Sequence, residues 1–323
     1  MYKIMDEIMV SVYCKAYNHE KYIRSCLEGF VSQKTNFKFE VIIHDDASTD
    51  KTPEIIKEYQ EKYPEIIRPI FQTENQYSKR VPVFSLYMLP MMRGKYIACC
   101  EGDDFWTSEN KLQMQVDFLE SHSEYSACAH NTEVLNISNG RKFNYYNDKD
   151  RDVTMSDVIQ GSHYCYHTSS LMYRIEYAKE RPEFLRLQKG VGDYPLGIYL
   201  AMKGSIKFFG QVMSVYRYGT EGSWTHRMGN DSEKIILSYK DKIKMLEAAN
   251  EYSSGKYEDL FQAKIMQTRC DILIQEEKYK ELKKAPYKEY YRAYPAKIKV
   301  KVALLQYCPK LYWFIRKFRK FYI

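Results

Sequence analysis

The sequence predicts an α/β fold built on a mostly parallel sheet flanked by helices, with a helical extension after it. Three observations lead there. Short β-branched runs alternate with segments of helical periodicity at βαβ spacing. One such run, Val41–Ile43, is continuously apolar, as expected of a strand covered on both faces. Acidic clusters recur at the carboxyl ends of the runs, where sheets of this kind gather ligands.

Each element has a local reason. MVSVYCKAYN (9–18) is β-branched and aromatic and ends at a turn-forming Asn, so a strand and then a loop at Asn18–Glu20 are expected. Ile23, Cys26, Leu27, Phe30 and Val31 fall at helical spacing. FKFEVIIHDD (37–46) is the second strand. Ser48-Thr49-Asp50, with Pro53 near the first turn, starts a helix that runs to about Lys62. IIRPIFQ (66–72) is a third strand, 82–94 a helix ending at Gly94, and KYIACC (95–100) a fourth strand. A helix over Leu112–Ser121 and a strand over 125–135 follow. The polar stretch 136–160 reads as a loop or hairpin, and HYCYHTSSLMYR (163–174) as a strand. YPLGIYLAMKG (194–204) is a helix stopped by glycine. SIKFFGQVMSVYRYG (205–219) reads as two strands around Gly210, and 231 to about 284 as charged helix. Two domains are expected, 1–228 catalytic and 229–323 mostly helical.

Bulk properties narrow the function. With 323 residues, 45% hydrophobic and 28% charged, a packed core is expected and disorder is not. Tyrosine is abundant, at 31 residues, which reflects bias and, in part, surfaces that stack sugars or bases. Eight cysteines form no CxxC pair and several lie in apolar runs, so buried thiols in a reducing compartment are expected. No signal peptide and no transmembrane helix is expected. The net charge of +7 is uneven. Residues 290–323 hold nine basic groups and no acid, whereas the first 289 residues hold 40 basic and 42 acidic groups.

The acidic loops carry the chemistry. YIACCEGDDFW (96–106) passes from a buried strand straight into Glu101, Asp103 and Asp104. Like charges repel, so crowding them needs a compensating partner. Adjacent carboxylates suit a hard divalent cation, Mn2+ or Mg2+, which takes few ligands from protein and the rest from phosphate and water. A plain N-cap of the helix beyond Trp106 is an equal alternative for Asp103 or Asp104. Asp193 follows a Gly-Val-Gly turn, where glycine leaves room for a substrate, and a carboxylate there suits a general base. Pro195 at the first helical turn leaves an N-cap role open for it too.

The ordered motifs VSVYCKAYNHEKYI, EVIIHDDASTDKT and GKYIACCEGDDFW resemble the nucleotide-sugar-dependent glycosyltransferases of family 2, with the GT-A fold. HTSSLMYR, GDYPLGIYLAMKG and VMSVYRYGTEGSW extend the resemblance toward the bacterial members that build surface polysaccharides, so that it spans about residues 9–227. It implies that Tyr17 packs on the nucleotide base and Asp46 bonds the base edge. Asp103 would sit near the ribose and Asp104 would bind the metal, in a GDD form of the family's looser DXD element. Asp193 would be the base of a single inverting displacement. Donor contacts from Arg217 and metal contact from His226, in a loop with Trp224 and Arg227, complete the expected site, while His167 is expected to be an ordinary strand residue. The expected donor is a nucleotide sugar, most often UDP-linked, and the acceptor a glycan or lipid-linked hydroxyl.

PKLYWFIRKFRKFYI (309–323) places Leu311, Phe314, Ile315, Phe318 and Tyr322 on one stripe and basic residues on the remainder. That pattern predicts binding to an anionic membrane surface, hence a cytoplasmic enzyme peripheral at the inner face, with docking onto the body as the alternative. No nucleic-acid motif is present. A nucleotidyltransferase would show a Gly-rich basic phosphate loop after the first strand, where Lys15-Ala-Tyr-Asn-His stands instead. A nicotinamide dehydrogenase would show GxGxxG there. A non-catalytic sugar-binding protein would not be expected to keep Asp46, Asp103, Asp104 and Asp193 together.

Overall fold

The computed structural model describes residues 5–220, 231–312 and 314. Ten strands join one sheet: β1 (Met5–Ala16), β2 (Phe37–Asp45), β3 (Ile67–Phe71), β4 (Tyr96–Cys99), β5 (Phe105–Trp106), β6 (Tyr125–Asn136), β7 (Lys142–Asn144), β8 (Arg151–Val153), β9 (Met172–Arg174) and β10 (Ser205–Tyr218). Their order is β3-β2-β1-β4-β9-β6-β10-β5, with β7 on β6 and β8 on β10. The strands from β3 to β4 run parallel, β9 is antiparallel to both of its neighbours, and β6 and β10 are parallel again. The acidic loop after β4 therefore leaves the sheet between a β1–β3 side and a β6–β10 side.

Helices cover the sheet where the apolar spacing predicts. In α1 (Ile23–Val31), Ile23, Cys26, Leu27 and Phe30 are buried. In α2 (Thr52–Lys62) the buried residues include Ile56 and Tyr59, and in α3 (Lys111–Ser121) they include Leu112, Val116 and Leu119. The helices α4 (Met155–Gln160), α5 (Ile175–Lys179) and α6 (Asp193–Lys203) follow. The chain divides into two compact units, Met1–Pro182 with Asp193–His226, and Glu183–Gly192 with Arg227–Ile323. The second unit contains α7 (Ser232–Tyr252), α8 (Glu258–Gln275), α9 (Tyr287–Arg292) and α10 (Ala296–Tyr307). Cys270, Tyr279, Leu282, Tyr294 and Val302 make a core within it.

Four local expectations change. Residues 82–94 are helical but irregular, a π-helix at Phe84–Met88 followed by a 3-10 turn at Leu89–Met91 instead of a regular α-helix, since Pro90 cannot donate to the ladder. Only Met172–Arg174 of 163–174 is strand. Before it, the Ser170 hydroxyl donates to the His167 carbonyl and the Ser169 amide donates to the His167 ring, so local bonds replace ladder bonds. Residues 205–218 are one strand with register shifts instead of two strands. Gly210 lies at the shift, where a Cβ would come 1.9 Å from the Asp148 carbonyl oxygen. The stretch 136–160 holds β7, β8 and α4, the helix closed by a Thr154/Asp157 capping box. All eight cysteines are free, and seven of them are buried.

One polar network ties the strands together away from the acidic loops. The Glu40 side chain is fully buried on β2 and accepts from Ser11 Oγ on β1 at 2.8 Å, Arg93 N at 2.7 Å, Arg93 Nε at 2.9 Å and Arg68 on β3 at 2.5 Å. Burial works to raise its carboxyl, but these donors outweigh burial and hold it below the ordinary glutamate value. A group depressed in the folded state contributes stability above its unfolded pKa and loses it as pH falls through the folded one. Glu40→Ala should therefore cost about 3–5 kcal/mol, the usual effect of breaking a buried pair. The wild-type advantage should shrink toward acid pH, and urea unfolding of both proteins across pH checks this.

Candidate active site

The strand ends build the site in layers. Asn18 turns out of β1 at φ 55° and accepts from the Thr49 amide at 2.8 Å, while Ser48 Oγ accepts from the Asn18 amide at 2.9 Å. The His19 amide donates to Thr52 Oγ1 and the Glu20 amide to Asp50. These bonds stitch the β1 loop to the β2 loop. Tyr17, at the tip, is exposed. Asp45 accepts from the Ser48 amide and hydroxyl and so shapes its own turn. Both carboxylate oxygens of Asp46 accept backbone amides, from Gln76 at 2.7 Å and Tyr77 at 3.0 Å, so Asp46 pins the loop after β3 beside Tyr17's loop.

After β4, the chain bends back so tightly that the Gly102 amide donates to the Lys15 carbonyl at 2.9 Å. A Cβ at Gly102 would meet the His19 ring at 2.9 Å and that carbonyl at 3.0 Å. The three carboxylates then sit among donors from separate elements. Lys15 Nζ lies 3.5 Å from Glu101. Thr220 Oγ1 donates to Asp103 at 2.9 Å. Asp104 is buried and accepts from Ser169 Oγ at 2.5 Å and from the Arg217 amide at 3.1 Å. Burial raises Asp104 well above the aspartate range, and the neighbouring Asp103 charge adds to this. Burial likewise raises Asp103. Glu101 goes the other way: burial opposes it, but Lys15, with help from His167 and His19, holds it below its usual value.

Neither Asp103 nor Asp104 caps a helix, since α3 starts at Lys111 after Asn110. Arg217 has partners within the protein. Its guanidinium donates to the Asp103 carbonyl at 2.7 Å and to Ser25 Oγ at 2.7 Å, and it lies 4.4 Å from the Phe105 ring centre. It thus clamps the acidic loop from inside. Trp106 braces the same loop: its Nε1 donates to the Ser169 carbonyl at 2.8 Å, and Lys111 Nζ sits 3.8 Å from its ring centre. Burial pushes the Lys111 amine down to about 7.

His167 is part of the site rather than a plain strand residue. Its Nδ1 lies 3.7 Å from Asp104 Oδ2, and its ring stacks on Tyr216 at 4.3 Å. Burial lowers it to about 4, so it is neutral near neutrality. Asp193 is half-buried at the start of α6. Burial raises its carboxyl, the Tyr194 amide partly offsets this, and the Glu101 charge raises it further. Asp193 and the acidic loop belong to the same compact unit. Trp224, His226 and Arg227 lie outside the described residues.

Sequence reasoning did not find Lys15, Ser169, Thr220 or Lys111. Only fold-level proximity marks them, because each lies in a separate stretch of chain. The donor set would suit a hard divalent cation in type: Asp103 and Asp104 offer carboxylate oxygens, which burial first and neighbouring acidic charge second raise above the ordinary aspartate range. Among the described residues no group of three or more His, Cys, Asp and Glu side chains forms a closed metal cage. The fit is thus to a cation completed by phosphate and water.

Residues 11–181 match the model of glycosyl transferase family 2, more than half of the chain, and the chain belongs to that family. An uncharacterized Mycobacterium tuberculosis protein is 36% identical over 232 residues, 70% of this chain and 63% of its own length, so the match spans less than two thirds of that relative. The Escherichia coli UDP-Glc:alpha-D-GlcNAc-diphosphoundecaprenol beta-1,3-glucosyltransferase WfaP is 30% identical over 146 residues, 45% of this chain and 49% of its own. Among solved structures, Staphylococcus aureus TarS with UDP superposes with a TM-score of 0.56 at 17% identity, covering 90% of this chain and 77% of TarS. The Pyrobaculum calidifontis mannosyltransferase PcManGT, solved with GDP-Man and Mn2+, gives 0.52 at 16%, covering 97% and 85%. The fold is the GT-A glycosyltransferase fold.

Arg217→Lys removes the planar clamp but keeps the charge. It should lower sugar transfer at least about tenfold, through a looser acidic loop, while shifting the melting temperature by only a few degrees. Transfer rates and thermal melts of the two proteins test this.

Proposed function

We propose that this family 2 glycosyltransferase moves a sugar from a UDP-linked donor to a hydroxyl of a glycan or lipid-linked acceptor, with inversion, in the building of a surface polysaccharide. The observation that carries this reading is that Glu101, Asp103 and Asp104 crowd the loop at the carboxyl end of β4, each held by a donor from another element, with Asp193 at the start of α6 in the same compact unit. The UDP-glucose-dependent activity of WfaP and the UDP held by TarS support the donor class.

Tyr17 offers an exposed ring to the base, and Asp46 orders the loop beside it. Asp103 and Asp104 are the residues to hold Mn2+ or Mg2+, which when bound would offset charge on the departing diphosphate. Asp193 takes the proton of the acceptor hydroxyl. The hydroxyl oxygen bonds to the anomeric carbon from the face opposite the diphosphate. The bond from that carbon to the diphosphate oxygen breaks, and its electron pair leaves with the nucleotide. No protein nucleophile is needed. The raised pKa of Asp193 makes it a stronger base than an ordinary aspartate, and as a base it works only when ionised.

Asp193→Asn should therefore abolish transfer while sparing donor affinity, and wild-type transfer should fall on acidification before an ordinary aspartate would titrate. A nucleotide-sugar screen with Mn2+, Mg2+ or chelator measures both; metal-independent, undiscriminating donor binding would count against the reading. We further propose that the segment 309–323 holds the enzyme at an anionic membrane surface, where a lipid-linked acceptor would lie. Leu311 and Phe314, its described apolar residues, are exposed, and no helix among the described residues is long and apolar enough to cross a membrane. Deletion of 309–323 should release the protein from anionic vesicles in a sedimentation assay; unchanged partitioning would refute this role.

A further inference from the structure

Several tyrosines of the catalytic unit stay on the surface and gather beside Asp193. Tyr145 is 37% exposed, Tyr218 45% and Tyr164 66%. They come from three places: the segment after β7, the end of β10 and the turn Ser162–Tyr164. Their neighbours hold them together. The Tyr145 ring centre lies 6.5 Å from Tyr216 and 6.3 Å from His167, and Tyr216 lies 6.3 Å from Tyr218. Tyr146, packed on Tyr145 at 4.5 Å, donates from its hydroxyl to the His163 carbonyl at 2.9 Å, which fixes the turn bearing Tyr164. His167 in turn lies 3.7 Å from Asp104. The turn bearing Tyr164 packs on α6, the helix that Asp193 begins: a Cβ at Gly197 would lie 3.1 Å from Ser162 Cβ, and the Tyr194 hydroxyl donates to the Ile159 carbonyl just before that turn at 2.7 Å.

We propose that Tyr145, Tyr164 and Tyr218 form a platform for a pyranose ring of the acceptor, so that the acceptor is a saccharide rather than an acyclic polyol or a protein side chain. The proposal rests on the glycosyl-transfer reading of the neighbouring site. Exposed rings with hydroxyl tips match a sugar, which has an apolar C–H face and a rim of hydroxyls. The donor's base is the poorer occupant. Tyr17 and Asp46 lie at the ends of β1 and β2, on the opposite side of the β4 loop from β6 and β10. A ring seated on the platform would present its hydroxyls toward Asp193, which must take a proton from one of them.

Saturation-transfer NMR on the full chain tests this with methyl α-N-acetylglucosaminide and methyl α-glucoside as probes and glycerol as the acyclic control. Ring C–H protons of at least one glycoside should receive saturation, and glycerol should not. The Tyr145→Ala/Tyr164→Ala double variant should bind that glycoside about tenfold more weakly, the scale of losing aromatic contacts, while the corresponding Phe double variant keeps the signal. UDP binding, measured by calorimetry, should be equal in all three proteins and shows that the variants are folded. The platform is overturned if the Ala variant binds the glycoside like the wild type, or if neither glycoside binds while UDP does. Failure of the wild-type protein to bind UDP, with glycoside signals still dependent on the rings, instead sinks the transferase reading and leaves a saccharide site standing.

Discussion

Three carboxylates within four residues, at the mouth of a buried strand, set the terms for this catalytic unit. Their mutual repulsion cannot be relieved by the loop itself. Lys15 on β1, Ser169 before β9, and Arg217 and Thr220 at the end of β10 supply the compensation. Each of those elements must be in place for the loop to hold its shape. The loop is thus a point where the two sides of the sheet are made to agree, and burial, with neighbouring acidic charge adding to it, raises Asp103 and Asp104 despite those donors.

The same arrangement separates positioning from chemistry. Arg217 spends its guanidinium on a carbonyl, a hydroxyl and a ring, so its charge steadies the acidic loop from within. Asp46 spends both oxygens on amides and orders the rim of the nucleotide side. Trp106 and Lys111 back the Ser169 carbonyl and so support the hydroxyl that reaches Asp104. Arg217 and Asp46, which the motifs place at the ligand, also hold neighbouring groups still, which is what a site relying on alignment requires.

Much of the fold was legible because its signals are local. The apolar spacing of 23–31 and the continuous run 41–43 each report burial directly, and the structure buries them as expected. The misreadings share one cause, competition from nearby backbone chemistry. Pro90 broke a helical pattern, the Ser169–Ser170 turn replaced strand, and Gly210 carried a bulge inside one long strand. At the site, the acids themselves stood out as charge where apolar residues end. Their partners did not, since Thr220 and Ser169 are ordinary hydroxyls far from Asp104 along the chain.

By itself, the amino-acid order determined the α/β class, though not the antiparallel pairings that make the sheet mixed, the family membership later borne out over residues 11–181, and which carboxylates would crowd one loop. Periodicity and short motifs act over a few residues, so a linear reading captures them. Tertiary structure alone decided what surrounds those carboxylates: that His167 joins them, that Arg217 turns inward, and that Tyr145, Tyr216 and Tyr218 gather around the His167 ring. Such neighbourhoods depend on strand order and on how far each loop projects, and contacts across 65 or 114 positions of chain leave no periodic trace in it.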